Sequence, residues 1–257
     1  MSKRSLIILA AVAALLVPLA ASAQQQQQQP PVFTYVSEWT IARAQWDDYV
    51  AFEKKNVQPI FEKLLADGTL TSWGFYATNV HEENGPTHGS WFEAPSIANI
   101  EKALVALVKA SQNPMINGVK HRDYFLRAQI RRFKAGSASD GFLWVNYTQL
   151  RPGKGQEWRA LFDQYIKPLL ESLVAEGTFV AYELEAEVIH TDNPDGIYLV
   201  YLAPNAEGFD KFLAAIDARL AQATPEERRA FNEAFAATTV AGAHRDFFAR
   251  VLSYAQK

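Results

Sequence analysis

The sequence states one pattern twice. His121-Arg122-Asp123-Tyr124-Phe125-Leu126-Arg127 returns as His244-Arg245-Asp246-Phe247-Phe248-Ala249-Arg250. Upstream, Pro59, Gly68, Thr69, His81, Ala94 and Pro95 match Pro168, Gly177, Thr178, His190, Ala203 and Pro204 at a constant offset of 109. Register held over that length marks an internal duplication, which limits the architecture before any single element is assigned. At the His-Arg-Asp motif the offset has grown to 123, so the second copy carries 14 additional residues between Pro204 and His244. Within them Thr224-Pro225-Glu226-Glu227 reads as an N-cap, a first-turn proline and first-turn acids, the start of an extra helix.

The ends bound the compartment. Lys3 and Arg4 precede an apolar run from Leu6 to Leu19, and Ala21-Ser22-Ala23 follows, so residues 1–23 read as a secretory signal peptide. The run is shorter than the roughly 18–20 residues that cross a bilayer, and no later segment is apolar for long enough, so no membrane span is expected in the mature chain. Residues 24–31, rich in Gln and Pro, read as a disordered linker with nothing apolar to bury. The chain is expected in the periplasm or outside the cell. With no cysteine, stability there must come from core packing rather than disulfides. A net charge of −3 with interspersed signs gives no footprint for nucleic acid.

Each copy shows the same succession of periodicities. In the first, Phe33–Thr40 alternates as a strand, Gln45–Ala66 has apolar residues at helical spacing, and Asp67-Gly68 stops that helix. Leu70–His81 and Ser90–Glu93 read as a hairpin around Glu82–Pro86, Ser96 caps a helix through Ala110, and Asp123–Phe133 is a closing strand. The second copy repeats the order in Phe142–Leu150, Glu157–Glu176, Phe179–His190, Ile197–Leu202, Glu207–Ala221 and Asp246–Tyr254, with the extra helix at Glu226–Ala237. Pro59 and Pro168 fall inside the first helices, where each removes a backbone hydrogen bond and predicts a kink. The expected class is α+β: two tandem ferredoxin-like βαββαβ units, residues 32–135 and 141–257, the second with an extra helix.

Such a unit covers one face of its sheet with helices and leaves the other to be buried by a partner, and the second copy is the simplest partner. In this layout, and in the loop Arg151-Pro152-Gly153-Lys154-Gly155-Gln156-Glu157 leading into a helix, the chain resembles the dimeric α/β-barrel superfamily, in particular its antibiotic-biosynthesis-monooxygenase-like and NIPSNAP-like branches. The resemblance implies an intramolecular pseudo-dimeric barrel with a central cavity. The assembly would be a monomer with a pseudo-two-fold axis or a homodimer. Cofactor-independent monooxygenases of that family hold an electron-rich aromatic substrate in the cavity.

Alternation puts Asp123 and Arg127 on one face of the closing strand, with Gln129 and Arg131, and Tyr124 and Leu126 on the other. The expected open face carries Arg127 and Arg250, lined by Tyr35 and Trp39 with Trp144 and Asn146 from the first strands. These are the candidate ligand-binding residues, together with Glu183 and Glu185. Glu183, Glu185 and Glu187 share a strand face that is either exposed on an edge strand, the commoner arrangement, or lumenal and paired with Arg127, Arg131 or Arg250. His121, Arg122 and Asp123, like His244, Arg245 and Asp246, read as a structural turn held by an Arg–Asp pair and a histidine hydrogen bond; a haem ligand is the alternative. The five histidines show no tight metal-ligand spacing, so neither a metal nor another cofactor is expected.

Three functions fit these residues: a small-molecule-binding protein with an aromatic or hydrophobic ligand, a cofactor-independent monooxygenase-like enzyme, and a structural or partner-binding envelope protein. The exported chain is expected to begin at Gln24. Intact-mass measurement of protein recovered from the periplasm or medium checks this, and a mass that still includes the leader refutes it.

Overall fold

The computed structural model describes residues 31–80, 85–110, 113–189 and 194–257. The leader, the linker up to Pro30, His81, His190 and parts of both hairpin turns lie outside them. The elements follow in the order β1 (Phe33–Trp39), α1 (Trp46–Phe52), α2 (Gln58–Ala66), β2 (Ser72–Val80), β3 (His88–Ala94), α3 (Ile97–Ala110), β4 (His121–Phe133) and β5 (Gly136–Ala138). The second half contributes β6 (Gly141–Gln149), α4 (Gly155–Leu161), α5 (Lys167–Glu176), β7 (Ala181–Glu187), β8 (Gly196–Ala203), α6 (Glu207–Gln222), α7 (Pro225–Thr238) and β9 (Arg245–Gln256). Helix α7 is the expected extra helix, opened by a capping box in which Thr224 and Glu227 bond each other's backbone N–H groups.

Eight strands close into an antiparallel barrel in the order β2-β3-β1-β4-β7-β8-β6-β9, with β9 returning to β2; short β5 adds to the end of β9. The first half contributes β2-β3-β1-β4, and the second contributes β7-β8-β6-β9, the same order at the same chain positions. Two seams join them, β4 to β7 and β9 to β2. Closure leaves none of the eight strands with a bare edge.

The prolines are accommodated without a break in the helix. Glu53–Val57 and Phe162–Ile166 each form one π-helical turn, and Pro59 and Pro168 sit in the first turn of the α-segment that follows. The wider turn absorbs the missing N–H, and its recurrence at the same offset carries the duplication into backbone geometry. Two apolar layers lie between helices and barrel wall. One gathers Phe61, Leu64, Trp73, Phe75 and Phe92; the other gathers Trp158, Phe162, Leu170, Phe179, Leu184 and Phe209. A third cluster, with Tyr76, Leu143, Leu202, Val251 and Tyr254, belongs to the barrel interior.

Each seam carries a bulge. Gln129 is an extra residue of β4 opposite β7, and Leu252 is its counterpart in β9 opposite β2, 123 residues on. One extra residue reverses the alternation beyond it. Leu126 therefore lines the interior upstream, whereas downstream Ile130 joins the outer core and Arg131 turns inward. On β9, Val251 and Tyr254 are both interior while Leu252 packs outside.

Across β2 and β3, glycines make room for aromatic rings. Gly74 pairs with Trp91 and Tyr76 with Gly89, and a Cβ on Gly74 would meet the Trp91 ring at 2.1 Å. Gly74→Ala is therefore expected to destabilise the fold by about 1–3 kcal/mol through overpacking. Adding Trp91→Leu should recover most of that in urea unfolding. No recovery would mean that Gly74 is required for another reason.

Candidate functional site

The barrel encloses a lumen of about 870 Å3. Its walls are the inward residues of the strands, among them Thr34, Val36 and Glu38 of β1, Tyr76 of β2, Trp91 and Glu93 of β3, Tyr124 of β4, Glu183 and Glu185 of β7, and Tyr198 of β8. One end is closed by buried side chains: Glu93 is 3% exposed, Glu183 6%, Arg131 8% and Gln256 6%. The other end is rimmed by exposed Lys120, Arg122 and Arg245. The lumen is a blind cup with a wet mouth.

This geometry corrects the expected faces. Tyr35, Trp39, Trp144, Asn146, Arg127 and Arg250 all lie on the outer side of the wall. Tyr35 stacks on Phe92 in one helix-covered layer, and Trp144 packs against Phe209 and Phe212 in the other. Trp39 stacks on His121 with ring centroids 3.7 Å apart. Arg127 is exposed, and Arg250 forms an exposed bidentate pair with Asp140 at 3.1 and 3.0 Å. The alternation itself holds, but the helix–sheet layers take the bulky aromatics and leave the mixed residues to the lumen. The bulge then separates Arg127 from Arg131, which unbroken alternation had placed together.

The same geometry decides the acidic strand. β7 lies between β4 and β8, so it is not an edge, and Glu183, Glu185 and Glu187 are 6%, 3% and 7% exposed. Arg131 reaches across the seam to Glu183 at 3.2 Å and also contacts Glu93, while Thr34 donates its hydroxyl to Glu185. Burial pushes the Glu183 carboxyl well up from its ordinary value, with the nearby Glu93 adding to the rise. Burial also pushes Glu185 up to about 8, against the lowering effect of the Thr34 hydrogen bond. Nearer the mouth, Tyr76 donates to Glu38 at 3.1 Å, and burial raises both groups.

The repeated His-Arg-Asp segments do not form turns; they open strands β4 and β9, with the histidine beside the aspartate in each. His121 Nε2 lies 2.9 Å from both Asp123 and Ser37, and His244 Nε2 lies 2.6 Å from Asn146 and 3.5 Å from Asp246. Arg122 lies over the Tyr124 ring, and Arg245 donates to the backbone carbonyls of Gly242 and His244. Ser37, His121 and Asp123 do not form a nucleophile relay, because the serine and the aspartate meet the same imidazole nitrogen. That nitrogen is engaged by neighbouring side chains in each copy.

Glu38, Tyr76, Trp91, Glu93 and Tyr198 were not among the site residues singled out from the sequence, whereas Arg131 was named there as a possible partner of the acidic face and does pair with Glu183. The duplication held a usable signal. Glu93 answers to Leu202, Arg131 to Tyr254 and Thr34 to Leu143, so polar residues in one copy face apolar ones at the same places in the other.

A carboxyl that keeps its proton to about pH 8 gives stability a definite slope. Between its unfolded value near 4.5 and about 8, the folded chain holds a proton that the unfolded chain has released. Stability should therefore fall as pH rises through that window, by up to about 1.4 kcal/mol per pH unit for one proton. Glu185→Gln should flatten the slope in urea melts at pH 5, 6, 7 and 8, and an unchanged slope would assign the proton elsewhere.

No family model matches the chain, and no curated protein matches it. Solved structures do share the fold. A candidate monooxygenase from Lactobacillus acidophilus NCFM aligns with TM-score 0.63 at 13% identity, covering 89% of this chain and 97% of that one. A candidate monooxygenase from Fusobacterium nucleatum subsp. nucleatum ATCC 25586 gives 0.64 at 11% identity, covering 90% and 96%. An anthrone oxidase-like protein gives 0.54 at 10% identity, covering 89% and 94%. These neighbours are dimeric α/β-barrel proteins. At such identities the likeness carries the fold alone, and the closed α+β barrel is what this chain has in common with them.

Proposed function

We propose that this is an exported protein whose barrel, two ferredoxin-like units in tandem, binds a small aromatic or hydrophobic molecule in its lumen. The observation that carries the reading is the lumen of about 870 Å3, with Lys120, Arg122 and Arg245 at its rim. Small-molecule pockets are on the order of 300–1,000 Å3 and are mostly apolar with a few placed polar groups. Here Tyr76, Trp91, Tyr124 and Tyr198 form the aromatic part, and Glu38, Glu93, Glu183 and Glu185 the polar part. These residues take the place of the outer-face candidates as the ligand-binding set. An open lumen of this size weighs against a purely structural role, and the reading requires no metal or other cofactor.

A second reading is a cofactor-independent monooxygenase. It is favoured by Glu185, a lumenal carboxyl poised to exchange a proton near neutral pH, which a carbon acid would need before reacting with O2.

Val145 lines the lumen, and Val145→Trp should fill part of it. The wild type is expected to retain a co-purifying small molecule in native mass spectrometry, or to bind added 1-naphthol with a change in fluorescence. Val145→Trp should lose at least tenfold in naphthol affinity with an unchanged melting curve. Equal binding by both proteins overturns the lumen reading. Oxygen uptake on addition of anthrone, lost in Glu185→Gln, would favour the enzyme, and uptake no faster than in buffer removes it.

A further inference from the structure

The lumen is chemically one-sided, and the duplication shows how. Along its wall, positions equivalent between copies carry Thr34 and Leu143, Glu93 and Leu202, Arg131 and Tyr254, Glu183 and Gly74, Glu185 and Tyr76. Arg131, Glu183 and Glu185 lie on the β4–β7 seam, and Thr34 and Glu93 reach them by side chain from β1 and β3; Gly74, Tyr76 and Tyr254 lie on the β9–β2 seam, with Leu143 and Leu202 in the same cluster as the two tyrosines. One seam is therefore charged. The other is aromatic, with Trp91 over Gly74, the Tyr76 and Trp91 rings 6.2 Å apart, and Phe247 edge-on to Tyr76 at 5.2 Å.

The charged seam is unbalanced. Three carboxyls, Glu93, Glu183 and Glu185, surround one guanidinium, and Arg131 is already engaged by Glu93 and Glu183. Glu185 has the Thr34 hydroxyl, a donor without charge. Further along β7, Tyr198 donates to Glu187 Oε1 at 2.8 Å, while the buried Oε2 has no donor among the described residues. Buried carboxyls short of donors and of positive charge are costly, and the cavity beside them has room for a group that supplies both. The cations at the mouth act elsewhere: Arg122 bears on Glu38 and Tyr198, whereas the cation that bears on Glu183 and Glu185 is Arg131.

We propose that the ligand is an aromatic amine, held with its protonated nitrogen at the β4–β7 seam beside Glu185 and Glu183 and its ring against Tyr76 and Trp91. This rests on the lumen being the binding site. A cation there favours the ionised carboxylate, so Glu185, raised by burial, releases its proton when the amine binds. Affinity should therefore rise with pH between about 6 and 8. The aromatic seam adds ring stacking and cation–π contact.

Isothermal titration of the protein with 2-phenylethylamine, 2-phenylethanol and 3-phenylpropionate, at pH 6 and 8 and in buffers of different ionisation enthalpy, tests this. The amine should bind at least tenfold tighter than the alcohol or the acid, tighter at pH 8 than at pH 6, and with proton release. Glu185→Gln should lose at least tenfold for the amine and little for the alcohol, whose retained binding also shows that the variant is folded. Alcohol or acid binding as tight as the amine, no amine binding at millimolar concentration, or an unchanged amine affinity in Glu185→Gln each overturns the proposal. In those cases Val145→Trp separates the two levels: if it abolishes binding of whichever probe does bind, or of a co-purified molecule, the lumen reading stands without the amine. If it changes nothing, both fall.

Discussion

The pairing of β4 with β7 and of β9 with β2 is the constraint on which the rest depends. Each half of the chain makes a four-stranded antiparallel sheet with helices on one side, which leaves two strand edges and one whole face without partners. The two seams remove all four edges at once, and the faces they bring together become the wall of a cup rather than a second apolar layer. Because the helix-covered layers already hold most of the large aromatics, the interior is free to carry carboxyls, tyrosines and open space.

The bulges at Gln129 and Leu252 set what that interior contains at its closed end. Without the extra residue in β4, Arg131 would follow Arg127 to the outside, and Glu93 and Glu183 would face each other with no cation between them. Buried carboxylates in that arrangement cost several kcal/mol unless they hold protons or find a partner. The bulge is thus an electrostatic device as well as a change of strand direction. Its counterpart in β9 delivers Tyr254 to the equivalent place, where no charge has to be met.

Much of the architecture was legible because it was written twice. The order of strands and helices, the extra helix opened by Thr224 and the left-handed stop at Gly177 all follow from spacing and local chemistry, whereas Pro59 and Pro168 pointed to a kink and the structure has a π-helical turn before each. The face of each strand that would look inward was not legible, because alternation gives two faces and not their names. Tyr35, Trp39, Trp144 and Asn146 looked like a pocket lining and pack against helices or turns instead, since an aromatic row serves either surface. Arg127 and Arg131 could not be told apart while the bulge between them was unseen, and a bulge of one residue leaves no mark in composition. Glu183 and Glu185 were visible as an anomaly, three acids on one strand face, but their placement depended on the long-range pairing of β7 with β4.

Fusion of the halves into one chain has a consequence for how such a site can vary. In a barrel assembled from two copies of a single polypeptide, every side chain occurs at both seams, so a glutamate added to one wall is added to the opposite wall as well. Glu185 and Tyr76 could not then face each other across the same cavity, and neither could Arg131 and Tyr254. Covalent linkage lifts that symmetry. A residue can change in one half while its counterpart stays as packing, so the cup can be given a front and a back without altering the scaffold that closes it.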